Sequence, residues 1–164
     1  MKELTVLVVE DSEPMMDVMV TILDRFGFGR ILTANDGEEA FSAFQRYKPD
    51  IIITDWHMEN VDGLELCRWI RRNKHSVNRT IPIILMTGFT EHMRITKARD
   101  IGVTEILVKP FTAEQLAKRL MHIVDFPRDF IESIGFFGPD RRRRSVGDIG
   151  NEGDRRVQSA EVVE

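Results

Sequence analysis

The sequence predicts an α/β fold, a doubly wound, five-stranded parallel sheet with helices on both faces and a C-terminal extension. Three observations carry that expectation. Short apolar runs recur through the first two thirds of the chain, too hydrophobic throughout to have one face in water. Segments with apolar residues at three- and four-residue spacing separate them. Reactive polar residues, Glu10-Asp11, Asp55, Thr87 and Lys109, stand directly after four of the runs.

The first run, Leu4 to Val9, is valine-rich and bounded by charge, so it reads as a strand buried on both faces. A helix follows, with Met15, Val18, Met19, Ile22 and Phe26 on one stripe, Pro14 in its opening turn and Gly27 and Gly29 at its end. Ile31 to Ala34 is a short second strand. Asp36 is placed as an N-cap with Glu39 three residues later, and Ala40, Ala43, Phe44 and Tyr47 form the buried stripe of the second helix, which Pro49 stops. Ile51 to Thr54 is the third strand, and Leu66, Cys67 and Ile70 mark a third helix.

Ile83 to Met86 is the fourth strand, introduced by Pro82. Glu91 to Ile101 reads as a weakly patterned fourth helix, and Thr104 to Val108 as the fifth strand. Ala113, Leu116, Ala117, Leu120, Ile123 and Val124 define an amphipathic fifth helix. Strand-helix alternation of this kind implies right-handed βαβ units. The fold is complete near Val124, giving a first domain over 1–125 and an extension over 126–164, expected to be part docked and part disordered.

Composition narrows the function. Hydrophobic residues make up 42% and the formal net charge is -4, which fits a soluble protein without a general attraction to nucleic acid or anionic membrane. The single cysteine, Cys67, cannot form an internal disulfide. The N-terminus runs into a strand without a leader's apolar stretch, and no segment is long and apolar enough to span a bilayer. A cytoplasmic location is the expectation.

In an open α/β sheet, sites form at the carboxyl ends of the strands. Glu10, Asp11, Asp55, Thr87 and Lys109 would meet there. Singly, such acids are ordinary caps or solvated strand ends. Together they form a carboxylate cluster that repels itself unless neutralised, and oxygen-only ligands favour Mg²⁺.

The motifs Glu10-Asp11, Asp55-Trp56-His57-Met58 through Asp62-Gly63, Met86-Thr87-Gly88 and Lys109-Pro110-Phe111 carry a family likeness. From Leu4 to Val124 the chain resembles bacterial response regulator receiver domains of the two-component systems, the single-domain CheY type. The resemblance implies a flavodoxin-like sheet of strand order 2-1-3-4-5. It implies that Asp55 accepts the phosphoryl group and Asp11 binds Mg²⁺ directly. Glu10 acts beside it through water, and the His57 backbone carbonyl completes the protein ligands. Lys109 would hold a phosphoryl oxygen, and Thr87 would move toward the group as the switch.

The implied donor is a sensor histidine kinase or a histidine phosphotransfer protein. The output would be contact with an unknown downstream protein on the Ile95, Ile106 and Lys118 face, from a monomer or weak dimer. No activity is expected beyond the chain's own phosphoryl transfer and dephosphorylation. Two departures matter: Ile106 stands where the family often has Tyr or Phe, which removes an aromatic relay, and Glu59 stands where it often has Pro. His57 and Phe89 flank the family's route for the hydrolytic water, which suggests slow loss of the phosphoryl group.

Other classes fit less well. A haloacid-dehalogenase phosphatase needs an acid two residues after its nucleophile, and His57 is there. A dinucleotide-binding fold needs a glycine-rich first turn, and Glu10-Asp11-Ser12-Glu13 would repel phosphate. A receiver-fold scaffold that is never phosphorylated would have no need of all the key residues, and all are present. A DNA-binding regulator would carry a further domain, for which the extension is too short and polar. Phe126, Phe130, Phe136 and Phe137 are expected to dock on the domain or on a partner. Arg141, Arg142, Arg143 and Arg144 read either as a solvated basic run or as an element for an acidic protein surface.

Overall fold

The structure, a computed structural model, describes residues 3–88, 92–133 and 135–140. Phe89, Glu91 and the run Arg141, Arg142, Arg143 and Arg144 lie outside the described residues. The elements follow in the expected order: β1 (Thr5–Val9), α1 (Glu13–Arg25), β2 (Arg30–Ala34), α2 (Gly37–Tyr47), β3 (Ile51–Asp55), α3 (Gly63–Arg72), β4 (Ile83–Thr87), α4 (His92–Ile101), β5 (Glu105–Val108) and α5 (Ala113–Asp125). The strands form one parallel sheet of order β2-β1-β3-β4-β5, the predicted flavodoxin-like arrangement.

Alternate residues of each strand face opposite sides, so the sheet carries two cores. Val6, Val8, Ile53, Ile84 and Met86 pack with Met16, Met19 and Leu23 of α1 and Leu116, Leu120 and Ile123 of α5. Leu7, Val9, Ile52 and Leu85 pack with Ala40 and Phe44 of α2, Leu66, Cys67 and Ile70 of α3 and Ala98 of α4. Buried Cys67, its thiol pushed up to about 11 by burial, is inert packing.

Local chemistry sets the boundaries. Asp36 and Asp62 cap α2 and α3 by accepting the amides of Glu39 and Glu65, each at 2.8 Å. Thr112 and Gln115 form a reciprocal capping box on α5. Lys48, with φ of 49°, ends α2 in the left-handed conformation before Pro49.

Four residues assigned to buried stripes are exposed: Val18 at 51%, Tyr47 at 39%, Val124 at 52%, and Ala113 in the first turn of α5. On α1 the buried line is Met16, Met19 and Leu23, spaced three and four apart, and Val18 falls to its side. Val124 is displaced in the same way from Leu116, Leu120 and Ile123. Tyr47 lies in the last turn of α2, its ring between the guanidiniums of Arg30 and Arg46 at 4.9 and 5.1 Å.

The extension continues past α5 into a hairpin that periodicity did not reveal, β6 (Phe130–Ser133) paired antiparallel with β7 (Phe136–Pro139). It docks at the amino-terminal edge of the sheet. The Phe130 ring lies 5.0 Å from the guanidinium of Arg71, and the Phe137 ring 3.9 Å from that of Arg79. A Cβ at Gly138 would come within 3.0 Å of the Gly102 Cα, so glycine lets this strand approach the end of α4. Arg71 itself is 0% exposed and donates to the carbonyls of Gly102, Arg79 and Ile81 at 3.0, 2.7 and 2.7 Å.

Candidate functional site

Parallel strands bring their carboxyl ends to one edge. There the structure places Glu10 and Asp11 just beyond β1, Asp55 at the end of β3, Thr87 at the end of β4 and Lys109 just beyond β5. One carboxylate oxygen each from Glu10, Asp11 and Asp55 lies within 4.8 Å of the others, so the three acids converge. Lys109 Nζ sits 2.8 Å from Asp55 Oδ1 and 3.1 Å from Glu10 Oε2.

The backbone fixes these positions. The Lys109 amide donates to the Thr87 carbonyl at 2.7 Å, and the Lys109-Pro110 bond is cis. The Trp56 amide donates to Met86 at 2.8 Å, and Gly63 closes the loop by donating to Trp56 at 3.0 Å. Any Cβ on Gly63 would collide with the Asp55 carbonyl, so glycine at 63 is a steric requirement of the strand that carries Asp55.

The environments of the acids differ. Glu10 is 2% exposed and Asp55 8%, while Asp11 is exposed. Burial raises the Glu10 carboxyl above its ordinary value; the Lys109 hydrogen bond opposes this and the Asp55 charge adds to it. Burial alone would lower Lys109, but hydrogen bonds and charge from Asp55 and Glu10 outweigh it and hold the ammonium above its ordinary value. Asp11 accepts the Glu59 amide at 3.3 Å. Formally, three carboxylates face one ammonium, which leaves a charge deficit that a divalent cation matches.

His57 follows in the same loop. Its side chain is exposed and stacks on Trp56 with ring centroids 6.1 Å apart. Trp56 is 6% exposed, the packed aromatic expected there. Thr87 is 1% exposed, and the register pairs Asp55 with Met86, which brings the start of Thr87 beside the end of β3.

On the predicted output face, Ile95 and Ile106 are half-buried, Ile106 packing against the α2–α4 core, and the exposed Lys118 pairs with Glu114 at 2.9 Å. Sequence reasoning missed a second charged cluster at the opposite edge. Buried Glu105, at the start of β5, accepts Arg128 at 2.8 Å and Arg119 at 3.2 Å, and its Oε1 lies 3.1 Å from His122 Nδ1. The alternation of Glu105, Leu107 with Ile106, Val108 gave no warning that an acid would face inward. His122, read as a surface residue, is one of its partners. A groove of about 430 Å³ adjoins this cluster, lined by Pro82, Thr104, Ile123, Phe126 and Phe130 among others.

Comparisons with known proteins agree with this geometry. Residues 6–121 match the family model of the response regulator receiver domain. The chain is 30% identical over 119 residues to the alkaline phosphatase synthesis transcriptional regulatory protein PhoP of Bacillus subtilis, across 73% of this chain and 48% of that protein. It is 29% identical over 120 residues to the phosphate regulon transcriptional regulatory protein PhoB of Pseudomonas aeruginosa, across 73% of this chain and 51% of that protein. The chain thus spans about half the length of these relatives.

Among solved structures, the chemotaxis response regulator CheY4 of Vibrio cholerae superposes with a TM-score of 0.68 at 32% identity, across 73% of this chain and 98% of that one. The receiver domain of a sensor histidine kinase from Pseudomonas aeruginosa, with a magnesium ion coordinated in its active-site cleft, superposes with a TM-score of 0.67 at 26% identity, across 74% and 98%. Among the described residues, no helix is long and apolar enough to cross a membrane.

Proposed function

The chain belongs to the response regulator receiver domain family of two-component signalling, and from that premise we propose that it is a switch phosphorylated on Asp55. The observation that carries this reading is the placement of Asp55 Oδ1 on Lys109, inside a convergent cluster of carboxylates at the sheet's carboxyl edge. Glu10, Asp11, Asp55 and the His57 backbone carbonyl would hold Mg²⁺, whose chemistry there is to supply positive charge against the repulsion between a carboxylate and a phosphoryl dianion.

The chain's own residues do the rest. An Asp55 oxygen bonds to phosphorus as the donor's nitrogen–phosphorus bond breaks, which leaves an acyl phosphate. Lys109, held in its charged form, passes from the Asp55 oxygen to a phosphoryl oxygen. Thr87 turns its hydroxyl toward the same group and biases a pre-existing equilibrium. The phosphoryl donor is a sensor histidine kinase or a histidine phosphotransfer protein. The chain turns over no substrate beyond its own phosphoryl transfer and loss.

We place the receiver over 1–125, the extension over 126–164, and the output on the face of Ile95, Ile106 and Lys118, toward a downstream protein rather than nucleic acid. The protein works in the cytoplasm. Ile106 acts as a packing contact and not as a rotating aromatic reporter. Amide exchange with and without beryllofluoride and Mg²⁺ tests the reading: protection should change in α4, β5 and α5. Changes confined to α1 and α2 would contradict it.

A further inference from the structure

Asp11 differs from the other two acids in how it is held. Glu10 is anchored by Lys109 at 3.1 Å and by the Ser12 amide at 3.3 Å, and Asp55 by Lys109 at 2.8 Å. Asp11 is exposed and has no such ion pair among the described residues; what its side chain accepts is the Glu59 backbone N–H, at 3.3 Å from Oδ2. That amide comes from the far side of the site, on the loop between β3 and α3.

The loop is fixed immediately after Glu59. Asn60 adopts the left-handed conformation with φ of 63° and donates from Nδ2 to Asp36 Oδ2 at 3.3 Å. The Val61 carbonyl accepts the Gly37 amide at 3.0 Å, and Asp62 caps α3. A donor on a fixed loop, aimed at an exposed carboxylate, restricts that carboxylate before any cation arrives. A carboxylate has about four lone-pair directions, so an oxygen that takes one N–H keeps capacity for a metal.

We propose that the Glu59 backbone amide is a positioning group for the divalent-cation site, holding Asp11 toward Glu10 and Asp55. The inference rests on the reading that these acids bind Mg²⁺. Its contribution is pre-organisation: a ligand already ordered loses less freedom on binding. The group responsible is the N–H and not the glutamate side chain; proline, which the family often has at this position, lacks that donor, so the positioning is particular to this chain and Glu59→Pro is the discriminating substitution.

The test titrates Mg²⁺ against the fluorescence of Trp56 in a Trp69→Phe background, comparing Glu59→Pro with Glu59→Ala. Alanine removes the carboxylate but keeps the amide, and so serves as the reference. Glu59→Pro should bind Mg²⁺ roughly threefold to tenfold more weakly than Glu59→Ala, with an unchanged urea midpoint. Equal or tighter binding by the proline variant overturns the proposal while leaving the cation site intact. Absence of Mg²⁺ binding in the parent protein overturns both. A second measurement does not depend on the proline variant folding: in ¹H–¹⁵N spectra the Glu59 amide proton should move upfield in Asp11→Ala. A resonance that does not move contradicts the hydrogen bond.

Discussion

The two edges of the sheet solve opposite electrostatic problems. At the carboxyl edge, Glu10, Asp11 and Asp55 gather around the single ammonium of Lys109. At the amino edge, the buried carboxylate of Glu105 is met by Arg119, Arg128 and His122, and the buried Arg71 is satisfied by three backbone carbonyls. The first arrangement has charge left over and calls for a cation from outside. The second is closed by the chain itself, partly by residues of the extension. Carboxylates that outnumber their one cation mark a site at one end; a single buried carboxylate met by arginines that reach solvent marks a structural clasp at the other.

If that contrast holds, the largest loss of stability should come from the clasp. Arg71→Met would leave the carbonyls of Gly102, Arg79 and Ile81 without their donor in the interior, at a cost of about 3–5 kcal/mol in urea unfolding. By contrast, Asp55→Asn at the carboxyl edge should shift stability by less than about 1 kcal/mol, because it relieves like-charge repulsion as it loses the Lys109 pair. An Arg71 variant as stable as the parent would remove the distinction between the edges.

A smaller loss is expected from Phe130→Ala, which uncovers the Arg71 guanidinium, half-buries nothing in its place and should cost about 1–2 kcal/mol. Mg²⁺ affinity should be unaffected, since the hairpin lies at the far edge. A change in Mg²⁺ affinity would show that the two edges communicate.

Among the losses of stability away from the site, the smallest should come from Asp36→Ala. The Glu39 amide, above all, holds the Asp36 carboxyl below its ordinary value, with Asn60 adding to this and slight burial opposing it. A depressed carboxyl stabilises the fold above its ordinary pKa, and the benefit fades as pH falls through the depressed one. The variant should therefore be about 1 kcal/mol less stable at neutral pH. The gap should close in acid, once the pH has fallen below the depressed carboxyl's own range. A difference that persists unchanged in acid would mean that the cap is not what the substitution removes.

The carboxyl edge was legible in the sequence and the amino edge was not, for physical reasons. Uniformly apolar strands such as Ile51–Asp55 and Ile83–Thr87 announce a parallel sheet, and the residue after each strand is then placed by topology. Glu10, Asp11, Asp55, Thr87 and Lys109 needed no knowledge of side-chain packing to be brought together. Arg71 stands in the basic last turn of α3, where a cation ordinarily faces water, and only the tertiary arrangement of three carbonyls buries it. Glu105 is equally opaque, because one of its partners, Arg128, arrives from beyond the last helix. The hairpin escaped because its strands are four residues each, too short for a period-two signal, and the turn depends on Gly135 at φ of 81°. Of the clustered phenylalanines expected to dock, Phe130 and Phe137 cover Arg71 and Arg79, while Phe126 stays 58% exposed.

The account stands on Asp55 as the acceptor, and intact mass spectrometry after incubation with acetyl phosphate reads that directly. The parent protein should gain the mass of one phosphoryl group when Mg²⁺ is present, should gain none when it is chelated, and the Asp55→Asn variant should gain none in either condition. A phosphoryl group that survives Asp55→Asn would contradict the central claim.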